Sequence, residues 1–249
     1  MTDLTGKTAL VTGASSGIGT GIARALASAG VNVGLAARRA DRLESLKAEL
    51  DQTGATALVL PTDVTDVTSV RDSAHRLQAQ FGRIDILINN AGIMPISPLD
   101  AFKTDEWDQM VDVNLKGVLN GVAAVLPTMI EQRSGHIVNV SSIAGRRIFG
   151  AGFAVYSATK YAVSAFSEGL RQEVGAAHNV RVTTLEPGAA DTELLGTTSD
   201  PALQDAVRAS AAEQQLITPA DLAETVLFAL RAPAHVNVAD LFVLPTSQV

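Results

Sequence analysis

The chain contains no cysteine, so neither a disulfide framework nor a cysteine-ligated metal site is open to it, and a reducing cytoplasm is the expected compartment. Positive charge does not prevail: 19 Lys and Arg stand against 26 Asp and Glu, a formal net charge of −7. Without clustered cations, nucleic acid is not expected as a partner. No run reaches the ~18 uninterrupted apolar residues of a membrane span. The opening Met1-Thr2-Asp3-Leu4-Thr5-Gly6-Lys7 lacks a basic stretch followed by a long apolar one, so neither insertion nor export is expected. The four histidines, His75, His136, His178 and His235, have no metal-ligand spacing, and no metal is expected. No Pro- or Gly-rich linker and no repeat divides the 249 residues, which predicts one domain over 1–249. Aromatic residues make up 4%, with two tyrosines.

What is present is an alternation. Short apolar runs at Thr8 to Val11, Val31 to Ala36, Ala57 to Leu60, Ile84 to Ile88, His136 to Val140, Val180 to Leu185 and Leu241 to Leu244 are separated by longer helical patterns. That order predicts βα units: a Rossmann-type, doubly wound α/β domain with a seven-stranded parallel sheet and helices on both faces. The runs end in small and polar residues: Thr12-Gly13, Asn89-Asn90-Ala91-Gly92, Ser141-Ser142 and Glu186-Pro187-Gly188. In an open parallel sheet such ends share the edge where ligands bind. The irregular stretch after Pro187-Gly188, residues 189–215, reads as a substrate lid.

The chemistry concentrates at Tyr156-Ser157-Ala158-Thr159-Lys160. Four residues is one helical turn, so phenol and ammonium project from one face. A phenol with a reference pKa near ~10 becomes a useful proton donor and acceptor when a neighbouring cation lowers that value. A second motif, Thr12-Gly13-Ala14-Ser15-Ser16-Gly17-Ile18-Gly19, follows the first strand and opens a helix. Gly13 permits the turn, Gly17 lets the backbone approach a pyrophosphate, and Gly19 lets helix and strand pack closely. The helix N-terminus then presents free N–H groups to the phosphates. At the second strand, where an NAD site carries an acidic residue, the chain has Ala36-Ala37-Arg38-Arg39. An arginine there suits the 2′-phosphate of NADP(H), with Arg38 the first candidate and Arg39 the second.

With these motifs in order, the chain resembles the short-chain dehydrogenase/reductase family across essentially its full length. The resemblance implies that Ser15, Ser16 and Ile18 line the glycine turn, that Asp63-Val64 meets the adenine, and that Asn90, Ala91 and Gly92 lie along the adenosine ribose. It further implies that Asn114 holds a proton-relay water and Ser142 orients the substrate, with Ser141 the adjacent alternative. Tyr156 would be the acid/base and Lys160 its partner on the nicotinamide ribose. Pro187, Gly188 and Thr192 would contact the nicotinamide amide. Leu35 to Arg39, Glu186-Pro187-Gly188 with Asp191-Thr192-Glu193-Leu194, and Pro245 to Val249 look like a bacterial NADP-dependent subgroup containing clavulanic acid dehydrogenase and 3-hydroxy acid dehydrogenases.

The expected reaction is reversible hydride transfer between NADP(H) and an aldehyde, ketone or alcohol. The expected pocket, Ile93, Met94, Pro95, Ile143, Phe149, Phe153, Leu194 and Leu195, is apolar and suits a medium-sized carbonyl compound. Arg146 or Arg147 would hold a carboxylate if the substrate were a 3-hydroxy acid. The helix bearing Tyr156 has small residues on its other side, Ala158, Ala162, Ala165 and Gly169, and with the resemblance this points to a homotetramer. The rival from another class is a non-catalytic NADP(H) sensor, which would not need the Tyr-Lys pair.

Overall fold

Alternate residues of each strand point to opposite faces of a sheet, and apolar residues of the central strands fall on both, so both faces must be covered. The structure, a computed structural model, describes residues 2–212 and 215–248; the side chains of Leu195, Ser210 and Ala211 lie outside that description. Its strands are β1 (Thr8–Thr12), β2 (Asn32–Ala37), β3 (Ala57–Pro61), β4 (Ile86–Asn89), β5 (Gly135–Val140), β6 (Val180–Pro187) and β7 (Asp240–Val243). They form one parallel sheet in the order β3-β2-β1-β4-β5-β6-β7. The expected seven strands are all there. β4 begins at Ile86, two residues later than expected; just before it Asp85 turns its carboxylate onto the Thr8 N–H and the Lys7 and Arg83 cations.

The helices are α1 (Gly17–Ser28), α2 (Ala40–Gln52), α3 (Val67–Phe81), α4 (Thr104–Met110), α5 (Gly117–Gln132), α6 (Ala154–His178), α7 (Pro201–Ala212) and α8 (Pro219–Leu230). Ala9 and Val11 of β1, Val33 and Leu35 of β2 and Ile86 and Ile88 of β4 pack with Leu26, Leu43 and Leu222 of α1, α2 and α8. Leu10, Ala36 and Leu87 face the other way, onto Leu77, Val125 and Leu170 of α3, α5 and α6. Burying each such side chain contributes roughly 1.5–3 kcal/mol, so a one-residue slip of any central strand would exchange its two apolar sets.

The chain builds outward from β1 to β3, then crosses back to place β4 on the other side of β1. Between β1 and β4 the connections diverge, which opens a crevice at the carboxyl ends of the strands. A π-helical turn, Val111–Lys116, joins α4 to α5 into one helix from Thr104 to Gln132. By length and composition that helix could cross a membrane; here its Val122, Val125 and Met129 are buried in the sheet's second apolar layer.

Candidate active site

The glycine turn shows why its residues are small. Gly13 has φ +65°, and a Cβ on it would lie 2.7 Å from the Asn90 side chain and 2.9 Å from Ala91 Cα. A Cβ on Gly19 would lie 2.4 Å from the Gly13 carbonyl oxygen. Side chains at either position would push α1 away from β4. Asn90 holds the two strand ends together: its N–H donates to Thr12 Oγ1 at 3.0 Å, and its Nδ2 to the carbonyls of Thr12 and Gly13 at 3.0 and 3.2 Å.

At the end of β2 the two arginines take different places. Arg39 donates to Ser15 Oγ at 3.0 and 3.1 Å and to Ser16 Oγ at 2.7 Å, which ties the β2–α2 loop to the glycine turn. It also meets Glu193 at 3.1 Å. Arg38 is exposed at the cleft and its charge helps hold the Asp63 carboxyl low. The larger cause at Asp63 is the pair of hydrogen bonds from the Thr65 N–H and hydroxyl. The serine-bridging arginine is thus the one ranked second from sequence.

Tyr156 and Lys160 lie in the first two turns of α6, 4% and 5% exposed. Burial drives both towards neutrality. Burial pushes the Tyr156 phenol up to about 12, the neighbouring Ser142 hydroxyl opposing the rise. The Lys160 ammonium is brought down to about 8. Its Nζ donates to the Val140 carbonyl at 3.0 Å and lies 5.8 Å from the centre of the Tyr156 ring. The expected lowering of the phenol by the lysine is therefore not found: desolvation outweighs a charge held off the hydroxyl and turned to a backbone carbonyl.

Ser142 caps a 3-10 turn, Ile143–Gly145, with its Oγ accepting from the Ala144 N–H at 3.1 Å. Ser141 turns into the interior, where its hydroxyl donates to the Lys160 carbonyl at 2.9 Å and meets Ser164 Oγ at 3.0 Å. Asn114 sits in the π turn, 1% exposed, behind the cleft wall. Its Oδ1 accepts from the Ile93 N–H at 2.8 Å, and its Nδ2 donates to the Ile93 carbonyl at 3.0 Å and to Thr159 Oγ1 at 3.2 Å. Thr159 donates in turn to the Tyr156 carbonyl at 2.7 Å. The π turn is thus locked to α6.

A cleft of about 740 Å³ runs along the strand ends. Gly13, Ser15, Ser16, Gly17, Ile18, Arg38, Arg39, Asp63 and Val64 line one end; Asn90, Ala91, Gly92, Tyr156, Lys160, Pro187, Gly188 and Thr192 line its middle. Met94, Ser142, Ile143, Phe149, Phe153 and Leu194 close the other end, with the Phe149 and Phe153 rings 5.6 Å apart and tilted by 48°. Gly19 lies under the turn, and the side chain of Leu195 lies outside the described residues.

Arg146 and Arg147 do not line the cleft, which counts against the alternative in which either would hold the carboxylate of a 3-hydroxy acid. Arg146 pairs with Glu186 and lies 3.5 Å from Asp240. Arg146 and Arg147 lie over the Phe242 ring at 5.0 and 5.6 Å. Glu186 is 2% exposed, and a buried carboxylate requires a cation. It also accepts from Ser164 Oγ at 3.1 Å. Leu203, Ala206 and Val207 of α7, and Gln248, also line the cleft and were not assigned to it from sequence. Leu203, Ala206 and Val207 were readable as an i, i+3, i+4 apolar stripe.

A doubly wound sheet with a glycine turn at its switch point and a buried Tyr-Lys pair beside it defines the dinucleotide-binding class of α/β oxidoreductases. Residues 7–202 match the family model for short chain dehydrogenase. An oxidoreductase of Listeria monocytogenes is 44% identical over 243 residues, 97% of either chain. Among solved structures, the closed form of a serine dehydrogenase complexed with NADP+ superposes with a TM-score of 0.88 at 35% identity, covering 97% of this chain and 96% of that one. An alcohol dehydrogenase from the archaeon Thermococcus sibiricus, complexed with 5-hydroxy-NADP, gives 0.86 at 32% identity over 98% of both chains. The chain belongs to the short-chain dehydrogenase/reductase family and is an oxidoreductase.

Proposed function

We propose that the protein catalyses reversible, NADP(H)-dependent interconversion of an apolar aldehyde or ketone with its alcohol. The observation that carries this reading is the Tyr156 phenol, buried and sharing with Ser142 the stretch where the glycine-turn end of the cleft meets its apolar end. The residues fit a dinucleotide. Gly13 and Gly19 leave room where a Cβ would collide, α1 directs its N-terminus at the turn, and the end of β2 offers Arg38 and Arg39 with no carboxylate of its own. The similar structures solved in complex with 5-hydroxy-NADP and NADP+ support the choice of phosphate.

When bound, the nicotinamide supplies or accepts the hydride. Tyr156 gives its hydroxyl proton to the carbonyl oxygen as negative charge develops there, and Ser142 hydrogen-bonds the same oxygen to orient it. Lys160 holds the ribose hydroxyls. The Asn114 amide is engaged by Ile93 and Thr159, so its side chain serves to fix the π turn against α6. Lid residues 189–215 shut the apolar end; of these, 213 and 214 lie outside the described residues.

The apolar wall of Met94, Ile143, Phe149, Phe153, Leu194 and Leu203 supports a neutral, medium-sized carbonyl compound. A hydroxy acid is the second reading, supported by the likeness to serine dehydrogenase. Its carboxylate would be met by neutral donors, since among the described residues the cations lining the cleft are Arg38, Arg39 and Lys160. NADPH oxidation against a panel of aldehydes, ketones, carbonyl acids and their methyl esters, with NADH alongside, is the test. Turnover of neutral carbonyls preferring NADPH is expected; faster turnover of acids than esters would favour the second reading, and no turnover of any carbonyl would sink both.

A further inference from the structure

Glu193 begins the short 3-10 turn Glu193–Thr197 after β6 and lines the cleft beside Arg38 and Arg39. Its two carboxylate oxygens are taken by two arginines of the β2–α2 segment. Arg42 Nη1 lies 2.7 and 3.0 Å from them, and Arg39 Nη1 lies 3.1 Å from Oε2. The remaining donors of Arg39 are on Ser15 and Ser16 of the glycine turn. Two guanidinium groups thus converge on one carboxylate, the Arg39 guanidinium being held in turn by two hydroxyls of the glycine turn, and the anion standing there is part of the lid. The pull of both arginines holds the Glu193 carboxyl below its ordinary value, so it is charged at neutral pH.

We propose that Glu193 is a specificity-determining residue, an internal competitor for the arginine that receives the cofactor's 2′-phosphate. The inference rests on the NADP(H) reading above. The guanidinium of Arg39 has a fixed fork of donors, and a phosphate arriving at it must displace or share Glu193 against like-charge repulsion. Arg42 sits one turn further into α2, so the displaced carboxylate keeps a partner and the lid keeps its anchor. A cofactor without the 2′-phosphate meets no such competition. Glu193 therefore narrows the preference for NADP(H) over NAD(H) that the arginines create.

The test is binding in the absence of any carbonyl substrate. Titrations of NADPH, NADH, 2′-AMP and AMP are followed by fluorescence or calorimetry, with wild type, Glu193→Gln and Glu193→Ser. Exposed ion pairs of this kind contribute modestly, so removing the competing charge should tighten NADPH and 2′-AMP roughly two- to fivefold and leave NADH and AMP within error. In Glu193→Gln/Arg39→Ala the gain should vanish, because nothing is left to compete for. Weaker NADPH binding in both Glu193 variants would mean that the carboxylate props the arginines in place, and overturns the proposal. So would an equal gain for all four ligands, the mark of a general charge effect. The underlying reading fails separately: if Arg38→Ala, Arg39→Ala and their double variant all keep the preference for NADPH, the arginines do not read the phosphate. If those variants lose the preference while Glu193→Gln behaves as wild type, the competitor alone is refuted.

Discussion

Tyr156 and Lys160 are read from a four-residue spacing, but their working states follow from burial. A phenol at about 12 is fully protonated at neutral pH, which suits the reducing direction. Tyr156→Phe keeps the ring and removes the proton, so turnover should fall by about 10³-fold while NADPH binding by fluorescence stays intact. Substantial remaining activity would end the acid/base assignment. Lys160 is charged below its pKa of about 8 and neutral above it. The hold on the ribose proposed for it is therefore complete well below that value and lost as the pH rises through it. The pH profile of carbonyl reduction should fall with an inflection near 8, and Lys160→Arg should move that inflection upward in whatever activity survives. An unchanged inflection in Lys160→Arg would assign it to another group. Glu186 marks the limit at this scale. A carboxylate before Pro187-Gly188 gives no sign of facing inward, since that depends on Arg146 and Ser164 arriving from β5's loop and α6.

The elements were legible wherever one local pattern decides. Alternating apolar residues in β1, β2 and β4 serve two layers at once, and the glycine turn announces itself by spacing between strand and helix. Gly13→Ala meets both a positive φ and a contact of 2.7 Å with Asn90. Strain and overpacking together should destabilise the protein by about 2–4 kcal/mol, read as a fall in unfolding midpoint with no cofactor added, and cofactor affinity should drop with it. An unaltered midpoint would mean the turn relaxes freely. The π turn at Val111–Lys116 was not legible. Its sequence is an ordinary helical one, and the widened turn shows itself only where Asn114 captures the backbone of Ile93. The cleft wall on α7 was readable as an apolar stripe, but which side it faces depends on how the lid folds back over Met94 and Phe153.

On the scale of the whole molecule, the two layers fix a crevice at the β1–β4 switch point and the lid gives it an apolar end. The face of α6 away from the cleft carries Ala158, Ala165 and Gly169 exposed and Ala162 half-buried, a surface that permits close approach of a second helix. The homotetramer expected from the family should sediment as four chains. Ala165→Arg should shift it to a smaller species, because a long charged side chain in a close helix contact is both bulky and desolvated. A wild-type monomer in sedimentation would overturn the assembly.

By itself the sequence determined the strand and helix order, the glycine turn, the Tyr-Lys spacing and the basic end of β2, because each is set by local periodicity or by a residue type that a backbone conformation demands. The tertiary structure alone decided the direction of both pKa shifts at the Tyr-Lys pair, which of the two arginines grips the glycine turn, the π turn behind Asn114 and the removal of Arg146 from the pocket. Each of these depends on what arrives from a distant part of the chain: burial by a lid, a carboxylate from β6, a backbone segment after β4. Charge and desolvation act through space, and their sign at a given side chain is undefined until the neighbours are in place.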